Sequence, residues 1–157
     1  MKTRWNRRGQ FYLIAALAMI SIIIGIATIT NKSEVKESSK IIYDWKEELD
    51  IESSYVLDYL ATNEGDKDEV LENFTRIFSN YSTETEFYFI YGEEEDLNAY
   101  KYFDGLREDV SQQMEISDEK IKINIDETEY EFPLTQGENF YYVIYKKEGD
   151  DKYVATS

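Results

Sequence analysis

The 157 residues hold 33 Asp and Glu against 17 Lys and Arg, with neither His nor Cys. That absence excludes Cys nucleophiles, His-based triads, ordinary zinc sites, disulfides and thiolate-held clusters. A net charge of −16 argues against a nucleic-acid partner, because phosphate backbones demand clustered cations.

The charge is divided along the chain. Lys2, Arg4, Arg7 and Arg8 precede any acid, and Phe11 to Thr30 carries no charge at all. Everything after Asn31 holds 13 cations against all 33 acids, a balance of −20. Such asymmetry marks a boundary between parts of different surroundings. The 19 residues from Phe11 to Ile29 span roughly 28 Å as a helix, close to the ~30 Å of a bilayer's hydrocarbon. A core helix that is apolar all round has too little acidic domain to cover it. The run is also longer than the apolar part of a cleaved secretory signal, although Gly25 and Ala27 are small enough for a cleavage site. The expectation is therefore a single transmembrane helix over 10–30, behind a basic leader over 1–9. Four cations before the run against Lys32, Lys36 and Lys40 after it favour a cytoplasmic N-terminus and an extracytoplasmic remainder. Three acceptor sequons, at Asn31, Asn73 and Asn80, lean the same way, since such sites matter only outside the cytoplasm.

The opening Arg7-Arg8-Gly9-Gln10-Phe11-Tyr12-Leu13-Ile14-Ala15-Ala16 resembles the start of archaeal type IV pilin-like precursors, with the class III signal peptide. The likeness covers about the first 30 residues. It is also similar to archaeal membrane proteins that join this opening to an acidic α+β ectodomain. The resemblance implies cleavage between Gly9 and Gln10 by a membrane prepilin peptidase, a surface location, and assembly or contact with pilin-like or other surface proteins. Two positions depart from the pattern. The serine at the third mature position is Tyr12, and the glutamate at the fifth is Ile14. A carboxylate in lipid persists only when paired, so its loss removes the electrostatic register that aligns stacked subunits.

Residues 31–63 read as an amphipathic helix leading to the domain. Val35, Ile42, Trp45, Leu49, Val56 and Tyr59 form one apolar face, with Ile41, Tyr55 and Leu60 widening it. It either continues the membrane helix from Gln10 to Ala61 or restarts near Ser39; Ser53-Ser54 is a further weak point. Residues 64–157 then form an acidic α+β domain. Its helix carries Val70, Leu71, Phe74, Ile77, Phe78 and Tyr81 on one stripe, with Asp66 or Asp68 as cap.

Strands are expected at Glu86–Tyr91, Leu97–Phe103, Lys120–Ile125, Thr128–Leu134, Asn139–Lys147 and Lys152–Thr156. Leu106–Gln113 reads as a short helix or irregular. Pro133 suits an edge strand, and Asn139–Lys147, apolar on both faces, suits a central one. The architecture expected is an antiparallel sheet of five or six strands covered on one face by helix. Tyr88, Tyr100, Tyr102, Tyr141 and Tyr145 are then candidates for an uncovered face that binds a protein or glycan. Ordinary strand propensity accounts for the same tyrosines.

No nucleophile elbow, phosphate loop or dinucleotide fingerprint occurs, and catalysis is not expected. A hydrolase would need two buried carboxylates in one pocket. Calcium has acidic turns to weigh, at Glu93, Glu94, Glu95 and Asp96 or at Asp150 and Asp151, but neither has the spacing of a binding loop. No cofactor is expected.

Overall fold

The computed structural model describes residues 7–157 apart from 64 and 118; before Glu37 it describes the side chains of Met19, Ile20, Ser21 and Ile23 only. The chain divides into two units, Met1–Lys40 and Ile41–Ser157. The transmembrane segment expected over 10–30, the Gly9-Gln10 pair and the sequon at Asn31 therefore lie outside the described side chains, those four excepted. Among the described residues no helix is long and apolar enough to cross a membrane.

The second unit is an α+β domain in three layers. Its helices are residues 41–62 of α1 (Arg7–Thr62) and all of α2 (Lys67–Ser79). Five antiparallel strands form the middle layer in the order β3-β2-β1-β7-β8. They are β1 (Glu86–Gly92), β2 (Asn98–Phe103), β3 (Leu106–Asp109), β7 (Asn139–Glu148) and β8 (Asp151–Thr156). The third layer is the meander β4-β5-β6, comprising β4 (Met114–Ser117), β5 (Lys120–Ile125) and β6 (Thr128–Pro133).

The helices form for reasons visible in the residues. Asp66 caps α2 by accepting from the Glu69 amide at 3.2 Å, satisfying one of the donors that a helix start leaves open. Asp68 and Glu69 occupy its first turn and Arg76 its last, each favourable to the helix dipole. On α1 the buried line is Ile42, Leu49, Ser53 and Leu60, with Trp45, Val56 and Leu57 beside it. The Ser53-Ser54 pair does not interrupt the helix; Ser53 instead bonds back to the Asp50 carbonyl at 3.4 Å.

Strand alternation divides the core in two. Phe87, Phe89 and Tyr91 of β1 face the helices, with Tyr102, Phe140, Tyr142 and Ile144 from neighbouring strands. Tyr88 and Ile90 face the meander, with Ala99, Val143 and Tyr145, against Ile121, Ile123, Ile125 and Phe132. The period-2 pattern of β5 is thus the inner face of the third layer.

Several expectations need correction. Among the described residues the strands number eight, five in one antiparallel sheet and three in a second, where one sheet of five or six is expected. Leu106–Gln113 is a strand, β3, over Leu106–Asp109, and a short 3₁₀ helix only at Ser111–Gln113. Both faces of the five-stranded sheet are covered, because the meander folds across the side opposite the helices. Ile41 and Tyr55 do not widen the buried stripe of α1 but face outward, and so does Tyr59. Ile77 of α2 is likewise exposed, and Tyr81 is exposed beyond the end of that helix. A helix lying on one sheet buries a narrow line, so the flanks of a broad apolar stripe stay in water.

Candidate functional site

The five tyrosines considered as a binding face do not share one. Backbone register decides this: Phe89 pairs with Tyr100 and Phe87 with Tyr102, whereas Tyr88 pairs with Lys101. Tyr100 and Tyr102 therefore point to the helices, while Tyr88, Tyr141 and Tyr145 point to the meander. Tyr88, Tyr102 and Tyr145 are only 6%, 2% and 5% exposed. The Tyr102 hydroxyl meets Thr75 Oγ1 of α2 at 3.1 Å. Arg107 lies over the Tyr100 ring at 3.8 Å and pairs with Glu72 at 2.6 Å. The Tyr141 ring stacks on Phe132 at 5.0 Å. These contacts join layers, with Tyr100 and Tyr141 left half-buried.

Tyr145 anchors the clearest polar cluster. Its hydroxyl donates to Asp126 Oδ2 at 2.6 Å, and Lys152 Nζ reaches the same oxygen at 2.5 Å. The Lys152 ammonium first, and the Tyr145 hydroxyl next, hold the Asp126 carboxyl at about 2. Burial, then the carboxylate, pushes Tyr145 up to about 12. A second cluster ties α1 to the sheet: the Tyr142 hydroxyl donates to Asp50 Oδ1 and, at 3.2 Å, to the Lys46 carbonyl, and Lys46 pairs with Asp50 at 2.6 Å.

The acidic turn after β1 sits beside the start of α2 and the loop before β7. Lys67 occupies the middle of it, 2.9 Å from Glu93 and 3.5 Å from Glu138. An ammonium thus stands where a cation would have to sit. Burial raises the Glu138 carboxyl above its usual range against the opposing pull of Lys67. Among the described residues no Asp or Glu is fully buried, and no three carboxylates are grouped to hold a metal ion. Asp150 lies in the exposed turn between β7 and β8, and Asp151, also exposed, opens β8.

Sequence reasoning missed Asn139. It is buried at the start of β7, accepts from the Thr135 amide and hydroxyl at 2.9 and 2.8 Å, and donates to the Thr135 and Gly137 carbonyls, each at 3.0 Å. Its amide also reaches the Gly92 carbonyl at 3.4 Å. A buried amide so fully bonded fixes the loop before β7. An Asn two residues after a Gly, at the head of an apolar strand, was its only signal.

The domain turns an apolar strip of α1 outward. Ile51, Tyr55 and Tyr59 recur every fourth residue and are all more than half exposed. Exposed Asp44, Glu48 and Asp58 surround them. Spacing of four places these side chains on one flank of the helix. An acid-bordered apolar strip suits contact with another molecule better than chemistry.

The two described sequons differ sharply. Asn73 sits inside α2, its carboxamide oxygen accepting from Arg76 at 2.8 Å, and its Thr75 is fully buried. Asn80 is exposed where α2 ends. No protein-family model, curated protein or solved structure matches the chain.

Proposed function

We propose that this chain is a pilin-like, single-pass membrane-anchored surface protein, non-enzymatic, whose extracytoplasmic domain works through assembly or contact. The observation that carries the reading is the charge-free run from Phe11 to Thr30 behind four cations. Its described large side chains agree with it: Met19, Ile20 and Ile23 are 70%, 52% and 65% exposed, a state that water penalises and lipid accepts. The acid-bordered strip on α1 supports a role by contact. Ile14 in place of a carboxylate sets this reading apart from ordinary filament subunits, and the contact it supports is lateral or with a different surface protein. A binding module built on the sheet tyrosines draws no support from rings that lie between layers.

The chain has no Cys, so one introduced thiol reports the side of the membrane. Glu94→Cys, in the exposed turn after β1, labels with an impermeant maleimide in intact cells if the domain is extracytoplasmic. Labelling only after lysis overturns the reading. Mass spectrometry of the membrane-bound protein tests the leader: a chain beginning at Gln10 supports prepilin-type processing, and one beginning at Met1 removes it.

A further inference from the structure

We infer that Asn80, and not Asn73, is the N-glycan acceptor of the folded domain; the inference rests on the extracytoplasmic placement proposed above. Both asparagines satisfy Asn-x-Ser/Thr, so sequence alone ranks them equally. Geometry does not. A transferase must hold the asparagine carboxamide and the hydroxyl two residues on, with the chain bent around its site.

At Asn73 none of this is available. The residue is central in the thirteen-residue α2, where backbone groups are engaged in the helix ladder. Its carboxamide oxygen is held by Arg76. The Thr75 hydroxyl bonds the Leu71 carbonyl at 2.9 Å and meets Tyr102 at 3.1 Å beneath the helix. Reaching it requires α2 to unwind and the layer between α2 and β2 to open.

At Asn80 the helix has already ended. The residue is exposed and caps α2, with its amide N–H given to the Ile77 carbonyl at 3.2 Å. Its carboxamide makes no hydrogen bond among the described residues. The chain from Tyr81 to Thr85 runs as turns and bends before β1. Ser82 is half-buried and bonded at 3.2 Å to the Glu84 amide and to the buried Thr85 hydroxyl, contacts that stay within the same short loop. Ile77 and Tyr81, both more than half exposed, flank the site one helical turn apart. A glycan on Asn80 lies over this apolar pair and shields it from water.

The reaction itself is a substitution. The Asn80 amide nitrogen attacks C1 of a lipid-linked oligosaccharide, the N–C1 bond forms, and the C1–O bond to the lipid pyrophosphate breaks. The amide proton passes to a base of the transferase.

The test uses the full chain, folded in detergent, with a purified oligosaccharyltransferase and its lipid-linked oligosaccharide. Synthetic peptides spanning 68–78 and 76–86 serve as unfolded comparisons, and glycopeptides are read by mass spectrometry. The expected result is transfer to both peptides but, in the folded domain that follows residue 40, to Asn80 and not to Asn73. Asn80→Gln then loses the glycan mass on the described domain entirely, and Asn73→Gln retains it. Transfer to Asn73 in the folded chain overturns the assignment, as does an unmodified Asn80 whose peptide is accepted. Membrane sidedness does not enter this assay, so its failure is separable from a failure of the Glu94→Cys labelling.

Discussion

The Tyr145 hydroxyl of β7 donates to Asp126 at 2.6 Å, and that bond fastens one sheet to the other. Asp126 lies in the β5–β6 turn with φ +46°, and Lys152 of β8 completes the clamp at 2.5 Å. The Asp126 carboxyl is held at about 2, below the ordinary 3.8. A depressed pKa means that the clamp contributes fully above about pH 4 and is lost as pH falls toward 2. Asp126→Asn keeps a residue that tolerates positive φ while removing the charge. Thermal melts from pH 5 to pH 2 should show a steeper acid decline for the parent than for Asp126→Asn. Parallel declines would mean that the clamp contributes nothing.

Alkali acts on the same phenol from the other side. Tyr145 is raised to about 12, and burial also raises Tyr88 and Tyr142. A raised phenol pKa gives stability that is complete below the ordinary 10 and lost as pH climbs through the folded value. Tyrosinate absorbance should therefore show a late phase coinciding with loss of far-UV dichroism. Complete ionisation in a still-folded chain would contradict the buried positions.

Two buried hydroxyls should respond oppositely to removal. Tyr102 bonds Thr75, so Tyr102→Phe costs about 1 kcal/mol. The Tyr91 hydroxyl is buried with no partner among the described residues, so Tyr91→Phe should be neutral or stabilising by about 1 kcal/mol. Urea denaturation of the two variants checks the difference in sign.

The loop before β7 depends on Asn139 and Gly92. Asn139→Ala strands the groups it satisfies and should cost about 2–3 kcal/mol. Gly92 has φ +127°, and a Cβ there would lie 2.3 Å from the Asp96 carbonyl oxygen. Gly92→Ala should cost at least about 2 kcal/mol through backbone strain and that clash. Denaturation midpoints unchanged from the parent would refute both.

Much of this fold is legible in the sequence because burial follows period. Ile121, Ile123 and Ile125 announce β5, the apolar line of α2 announces its packing, and both faces of β7 are apolar because both are covered. What escapes is equally physical. Leu106–Asp109 and Met114–Ser117 are four-residue edge strands, exposed or nearly so; the first has no alternation, and Met114 and Ile116 are too few to mark the second. Without β4, the meander was not expected as a separate layer, and the tyrosines looked outward. Parity groups Tyr100 with Tyr102, but only register places Tyr88 on the opposite face. Of the candidate site, the sequons are readable as motifs, while the burial of Thr75 that separates them is tertiary. Tyr55 and Tyr59 of the outward strip on α1 read as core from sequence because they continue an apolar pattern that the sheet is too narrow to cover.

That division of α1 is itself testable. Leu49→Ala should cost about 2–5 kcal/mol as a cavity in the helix–sheet core. Tyr55→Ser, 72% exposed, should stay within about 0.5 kcal/mol. Comparable losses would place Tyr55 in the core after all.

Anchoring by the segment 10–30 is tested most directly by washing native membranes with alkaline carbonate. The account predicts that the protein stays with the pellet and enters solution only with detergent. Recovery of the chain in the carbonate supernatant, with residues 10–30 still attached, would contradict it.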